Sequence, residues 1–180
     1  MSPWIPNTVI AQQGALESGG SFPLSPSEND LFYRTDRDLI YFYDGTRWLT
    51  VSEYTLPLTT RTALGSGIAA TSTLANMPSG STLGNIFVKD LSVTTFVLTT
   101  NNGTNFWTVT LEKITPGNTP STIGSVDTSA DAADTWVNHV DAINEVVVGA
   151  DHPVFRLQAT KTSAAGNFVC GGTVTYRLVG

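Results

Sequence analysis

His139, His152 and a scatter of carboxylates are the residues of this 180-residue chain best suited to acid–base chemistry. His139 and Asp141 lie two positions apart in VNHVDAIN, and a serine beside such a pair would complete a nucleophilic triad. Serine is so abundant in the chain that this pattern is weakly specific. Residues two apart on a strand share one face, so the spacing favours two polar side chains on the outward face of a strand over a catalytic centre.

Three further aspartates could together offer carboxylate oxygens to Ca²⁺, namely Asp127, Asp131 and Asp134. Their spacing lacks the glycine and the terminal glutamate of an EF-hand loop, and it favours solvated acids near a helical turn. Cys170, in FVCGGTV, is the chain's one cysteine and indicates a small apolar residue inside a strand. We predict no metal site and no internal disulfide.

Motifs that carry enzymatic chemistry are absent from the sequence. It contains no G-x-S-x-G elbow, no P-loop, no dinucleotide fingerprint and no H-E-x-x-H. Charged residues make up only 13% of the chain. We therefore expect a protein that is not an enzyme, with no catalytic residues and no cofactor.

The charge balance limits the partners. The formal net charge is −6 and the pI is near 4.6, so no continuous basic surface for nucleic acid or anionic membrane is expected. The N-terminus lacks the basic and apolar regions of a signal peptide, and no run approaches about 18 apolar residues. We expect a soluble protein without membrane insertion.

An all-β fold is favoured, because threonine supplies 27 positions. Residues 1–30, rich in proline and glycine, predict an extended arm. Residues 31–52 predict a small three-stranded meander that is dense in aromatic rings and needs a cover. We expect its aromatic residues and those of the arm to make contacts between copies or with a shell: Trp4, Ile5, Phe22, Phe32, Tyr33, Tyr41, Phe42, Tyr43 and Trp48.

The rest of the chain divides into two parts. Residues 53–84, rich in serine, threonine and glycine, predict a linker. Residues 85–180 predict an antiparallel, jelly-roll-like β-sandwich that folds by itself, and Asn101–Gly103 predicts a hairpin turn between its first two strands. Its strand candidates are 86–98, 106–115, 122–126, 136–148, 154–162 and 169–179.

The run FPLSPSENDLFYRTDRDLIYFYDGTRWLTVS, residues 22–52, resembles a small module of tailed-phage virion surface proteins in which forms like GDLFYRTD and YDGTxW recur. This chain has Glu28, Asn29 and Asp30 where that pattern often has a glycine and an acid. The stretch IFVKDLSVTTFVLTTNNGTNFW and the ending TYRLVG are similar to the β-sandwich of phage and cyanophage appendage or capsid-surface proteins.

This resemblance implies a homotrimeric structural protein of the virion. One implied role is a cement or decoration protein on the outer capsid surface, in contact with the major capsid protein. The alternative is the distal part of a tail spike or fibre that binds a receptor. In either place the sandwich is expected to contact the host surface, where a glycan is an expected partner. Aromatic residues also leave a carbohydrate-binding module as a second alternative.

Overall fold

A computed structural model describes residues 16–64, 70–76, 84–114, 117, 119–149, 154–163 and 165–180. The all-β prediction is confirmed, since the described residues contain strands and no α-helix. No helix in them is long and apolar enough to cross a membrane. The strands are β1 Glu17–Gly19, β2 Leu31–Arg34, β3 Leu39–Tyr43, β4 Trp48–Thr50, β5 Tyr54–Leu64, β6 Ala70–Asn76, β7 Ile86–Val97, β8 Phe106–Ile114, β9 Pro120–Asp127, β10 Trp136–Val147, β11 Val154–Thr162 and β12 Phe168–Leu178.

The first of two compact units comprises residues 1–52 together with Gly180. Its sheet has the order β1-β2-β3-β4, so the predicted meander is present and the arm adds β1 in parallel with β2. The β3–β4 turn is held by Asp44, whose Oδ1 accepts hydrogen bonds from the backbone N–H groups of Thr46 and Arg47 at 2.8 and 2.7 Å. Gly45 takes a φ of 90°, which this tight turn requires.

The second unit, Glu53–Val179, is a sandwich of two antiparallel sheets. Their strand orders are β10-β7-β12-β5 and β6-β11-β8-β9. Alternate residues of both sheets point inward, and the six strands predicted from residue 86 onward are confirmed to within two residues at each end. The largest fully buried side chains of this core are Trp107, Phe155, Phe168, Leu91, Leu111, Val88, Val93, Val97, Val109, Val147 and Val174.

The prediction of a linker over residues 53–84 is wrong where these residues form strands. β5 pairs with β12 and β6 pairs with β11, each at the edge of its sheet. Edge strands tolerate polar residues and even proline, here Pro57, because one side of their backbone needs no partner. Their Ser- and Thr-rich sequences therefore look like linker, and the sandwich begins at Glu53 rather than at residue 85.

The predicted hairpin at Asn101–Gly103 is also wrong as a connection. β7 and β8 belong to different sheets, so this loop crosses the sandwich instead of pairing its neighbours. A tight local turn does exist there, because Asn102 Oδ1 accepts from the backbone N–H groups of Thr104 and Asn105, both at 3.0 Å. Asn101 is buried and donates through Nδ2 to Thr128 at 2.6 Å.

Candidate functional site

Phe22 is the centre of the aromatic cluster in the first unit. Its ring stacks on Trp48 with centroids 5.0 Å apart and planes 10° apart, and it meets Tyr41 edge-on at 5.1 Å. Phe32 lies 5.7 Å away and the Arg34 guanidinium lies 4.5 Å from the ring centroid. The arm therefore supplies the cover that the meander needs.

Gly180 completes this cluster. Its backbone N–H donates to the Trp48 carbonyl oxygen at 2.9 Å. A Cβ at this position would lie 2.2 Å from Phe22 Cζ, so the close approach of the backbone to the ring requires glycine. The face of the sheet that carries Phe32, Tyr41 and Trp48, which we call the inner face, is thus covered within a single chain.

The opposite face of the same sheet is apolar and partly exposed, and we call it the outer face. Leu49, the partner of Phe42 on this side, is buried at 3% exposure. Strand pairing sets Leu31 beside Phe42 and Tyr33 beside Ile40, because cross-strand partners point to the same side. Leu31 is 52% exposed, Ile40 42% and Val51 47%. Tyr33 and Phe42 are half-buried between them. Exposed apolar groups that adjoin one another in this way are typical of interaction surfaces.

The predicted contact residues divide between these two faces and the undescribed arm. Phe32, Tyr41 and Trp48 are buried in the inner face, and Phe22 and Tyr43 pack against them. Tyr33 and Phe42 belong to the outer face, while Trp4 and Ile5 lie outside the described residues. For all of them, contact with another chain stays a prediction. Sequence reasoning missed three exposed residues, which the two-residue alternation of the strands could have revealed: Leu31, Ile40 and Val51.

Hydrogen-bonded charges lie in the β2–β3 turn beside the outer face. The Tyr33 hydroxyl donates to Asp38, and this bond raises the pKa of Tyr33. Arg34 makes a two-pronged bond to Asp36, at 2.8 Å from Nε and 2.7 Å from Nη2, which lowers the pKa of that carboxyl. These bonds fix the turn, and the Tyr33–Asp38 bond places a polar group at the edge of the outer face, whereas Arg34 lies over Phe22 on the inner side.

In the second unit, His139 contacts Asp131 rather than Asp141, the partner considered from the sequence. His139 Nε2 lies 3.1 Å from Asp131 Oδ2, which also accepts from Thr95 Oγ1 at 2.6 Å. Asp141 Oδ2 instead accepts from the Ser125 backbone N–H at 2.7 Å. Sharing of a face by His139 and Asp141 is confirmed, but the expected outward direction is wrong, because the register pairs them with inward-pointing residues of β7.

This cluster has the contacts of a structural crosslink. Asp131 is only 2% exposed and Thr95 is fully buried, so a substrate has no access to either. The Thr95 hydroxyl donates to the Asp131 carboxylate and also lies 3.2 Å from His139 Nε2, so the three side chains bond one another. Asp127 bonds Ser129 instead, and the described residues contain no group of three side chains placed to hold a metal ion. The arrangement ties β7, β10 and the loop before β10 together.

No protein-family model and no curated protein matches the chain. Among solved structures it is similar to a chain of the cyanophage Pam1 capsid asymmetric unit, with 19% identity, a TM-score of 0.46, and coverage of 71% of this chain and 85% of that one.

Two other solved structures show a similarity of the same kind. One is from the infectious bursal disease virus Gx strain, with 14% identity, a TM-score of 0.42, and coverage of 76% of this chain and 35% of that one. The other is the xylan-binding module CBM15, with 14% identity, a TM-score of 0.40, and coverage of 86% and 85%.

Proposed function

We propose that this chain is a structural protein without enzymatic activity, which binds as a homotrimer to the outer capsid surface of a phage and cements it. The observation that carries the proposal is the outer face of the first unit's sheet, where Leu31, Ile40 and Val51 remain exposed although the inner face is already covered. The resemblance of residues 22–52 to phage virion surface modules supports the same role. The major capsid protein and two further copies are the partners assigned to this unit.

The physical reason is the burial of apolar surface. Removal of apolar area from water contributes about 25 cal/mol per Å², and the benefit is repeated at every copy on a shell. The outer face pairs two half-buried aromatic rings with three exposed aliphatic side chains, which is the composition expected at the middle of an interface. The hydrogen bond between Tyr33 and Asp38 supplies a polar group at its rim.

The second unit is assigned the contact with the host surface. Most of its apolar residues fill its own core, and among its described aromatic side chains Trp136 is the one that is exposed. If instead the protein is the distal part of a tail spike or fibre, the same unit binds the receptor and only the location differs. A carbohydrate-binding module in another setting is the remaining alternative.

The test is the copy number of the chain per purified particle, measured by quantitative mass spectrometry against the major capsid protein. A ratio of one to one or one to a few is expected for cement, whereas a handful of copies per particle places the chain on the tail. Light scattering of the purified chain is expected to give the mass of three chains, and a stable monomer would overturn the trimer.

A variant of the outer face tests whether this face makes the contact with the capsid. L31S/I40S/V51S is expected to reduce capsid occupancy more than tenfold, because it removes apolar area from the proposed contact. L98S/V148S is the matched control, since it changes exposed apolar residues of the second unit. Full occupancy by the triple variant would show that the outer face is not the contact.

A further inference from the structure

A neutral surface with an exposed aromatic ring lies on the solvent side of the sheet β10-β7-β12-β5. The register sets Trp136 beside Phe96 and Asn138 beside Thr94, on the side opposite to the buried Val93 and Thr95. The same side continues onto β12. We call this surface the Trp136 face, formed by Trp136, Asn138 and Val140 of β10, Ser92, Thr94 and Phe96 of β7, and Val169, Gly171 and Thr173 of β12.

Trp136 is held in place although it is open to solvent. The residue is 63% exposed, and its indole packs against Phe96 with ring centroids 5.0 Å apart and planes inclined by 41°. A large ring that is supported by a neighbour loses little side-chain entropy when a ligand stacks on it. The supported indole is therefore a ready platform for a flat, partly apolar ligand.

Asn138 adds a fixed polar group beside this platform. Ser92 Oγ and Thr94 Oγ1 both donate to Asn138 Oδ1, at 3.0 and 3.2 Å. These two bonds orient the amide, and its two N–H donors have no partner among the described residues. The two hydroxyl oxygens keep lone pairs that can accept further hydrogen bonds. Donors and acceptors therefore lie side by side on one short row.

A sugar ring presents the complementary chemistry. Its C–H face stacks on an indole, and each hydroxyl on its rim both donates and accepts. Residues two apart on a strand are separated by about 7 Å, so a pyranose stacked on Trp136 has its hydroxyls within reach of Asn138. The amide and the two hydroxyls of β7 would then bond neighbouring hydroxyls of that ring.

The lack of ionisable side chains on the Trp136 face limits the charge of the ligands that it can bind. None of the nine residues of the Trp136 face is ionisable, and the next residue of β7 on this side is Asp90, so the face offers no cation to a carboxylate or sulfate group. The small polar residues Ser92 and Thr94, with Gly171, separate the apolar groups, whereas the middle of an interface between protein copies is more continuously apolar. Both features favour a neutral glycan over an anionic one and over a second copy of the chain.

We propose that the Trp136 face binds a neutral cell-surface glycan, with the indole stacking on a sugar ring and Asn138 bonding its hydroxyls. The inference rests on the proposed function for its biological role, which is attachment to the host. Binding itself is a property of the chain alone and is measured without the capsid.

The experiment is affinity electrophoresis of the full-length chain in gels that contain one polysaccharide each. The neutral probes are xylan, hydroxyethyl cellulose, galactomannan and glycogen, and alginate is the anionic comparison. Retardation by at least one neutral polysaccharide is expected. Trp136→Ala is expected to raise the Kd at least tenfold and Asn138→Ala severalfold, while Val148→Ala, an exposed change just beyond the end of β10, leaves it unaltered.

Three results would overturn the site. They are the absence of retardation in every neutral gel, equal retardation of the wild type and Trp136→Ala, and a loss of oligomer mass in Trp136→Ala, which would make the face a contact between copies. A chain that coats capsids but ignores neutral polysaccharides refutes this inference and leaves the proposed function standing. A chain that binds neutral polysaccharides but is absent from capsids supports this inference and refutes the proposed function.

Discussion

The two units bury their apolar surface with different kinds of side chain. The first unit surrounds Phe22 with the rings of Phe32, Tyr41 and Trp48, whereas the sandwich interior consists mainly of valine and leucine rows with a few rings such as Trp107. A ring buries about 150–250 Å², so a sheet of short strands can reach a useful buried area only with aromatic residues. Loss of one ring therefore removes a larger share of the core from the first unit.

The largest expected effect is that of Trp107→Ala in the sandwich. Trp107 is fully buried, stacks on Phe168 with centroids 4.5 Å apart, and donates through Nε1 to the Gly166 carbonyl oxygen at 2.7 Å. The variant is expected to lower the free energy of unfolding by about 4 kcal/mol in denaturant titration. Trp136→Ala is the matched control, with a change of about 0.5 kcal/mol because its ring is exposed. Equal losses in both would contradict the burial assigned to these residues.

Phe22→Ala is expected to destabilise the first unit by about 2–3 kcal/mol. This loss is smaller than that expected for Trp107→Ala, because Phe22 is only partly buried. Its removal leaves Trp48 and Tyr41 without their covering ring, so the near-UV circular dichroism of the cluster should weaken while the transition of the sandwich is retained. Leu24→Ala changes a fully exposed neighbour on the same segment and should have no effect. An unchanged signal in Phe22→Ala would mean that the arm is not the cover.

Alternation of apolar residues explains why most of the sandwich could be predicted from the sequence. In β11 the rows of Phe155, Leu157 and Ala159 are buried and the residues between them are not, and the predicted bounds of that strand are those observed. β6 carries no such pattern, and in β5 the alternation of Tyr54, Leu56 and Leu58 is short and includes Pro57. Their polar edge sequences and Pro57 are indistinguishable from a linker until the strands they pair with are known.

The residues that form each candidate site are brought together by contacts between distant segments, and a single sequence does not show those contacts. Period-two alternation shows that Phe32 and Tyr33 point to opposite sides, but it does not show which side Phe22 covers. In the same way, His139 and Asp141 share a face, and only the register with β7 turns that face toward Asp131. The sequence therefore indicates which residues lie together more readily than it indicates which of them remain exposed.

Cys170 tests burial in the second unit, because its thiol makes the stability of that unit depend on pH. Burial in β12 raises the pKa of its thiol to about 11, from an ordinary value of 9.0, so the thiol stays protonated at neutral pH and should react with iodoacetamide only after unfolding. Because the folded-state pKa is the higher one, this stabilisation is complete below pH 9 and is lost as the pH rises to about 11, by up to about 2 kcal/mol.

The measurement is the free energy of unfolding of wild type and Cys170→Ala between pH 8 and 11. Burial also raises the pKa of Tyr176 and adds loss of the same sign in both proteins, so the difference between them isolates the thiol. Parallel curves, or rapid alkylation of the native chain at pH 8, would contradict the buried position of Cys170.

The smallest expected effect, that of Tyr41→Phe, concerns the first unit and separates ring packing from hydrogen bonding. The Tyr41 hydroxyl is buried and has no hydrogen-bond partner among the described residues. Removal of an unpaired buried hydroxyl while the ring is kept should leave stability unchanged or raise it by up to about 1 kcal/mol. Tyr43→Phe, at a half-buried ring of the same strand, is the control. A clear loss of stability in Tyr41→Phe alone would show that the hydroxyl is bonded outside the described residues, and the core of the first unit would then extend beyond these rings.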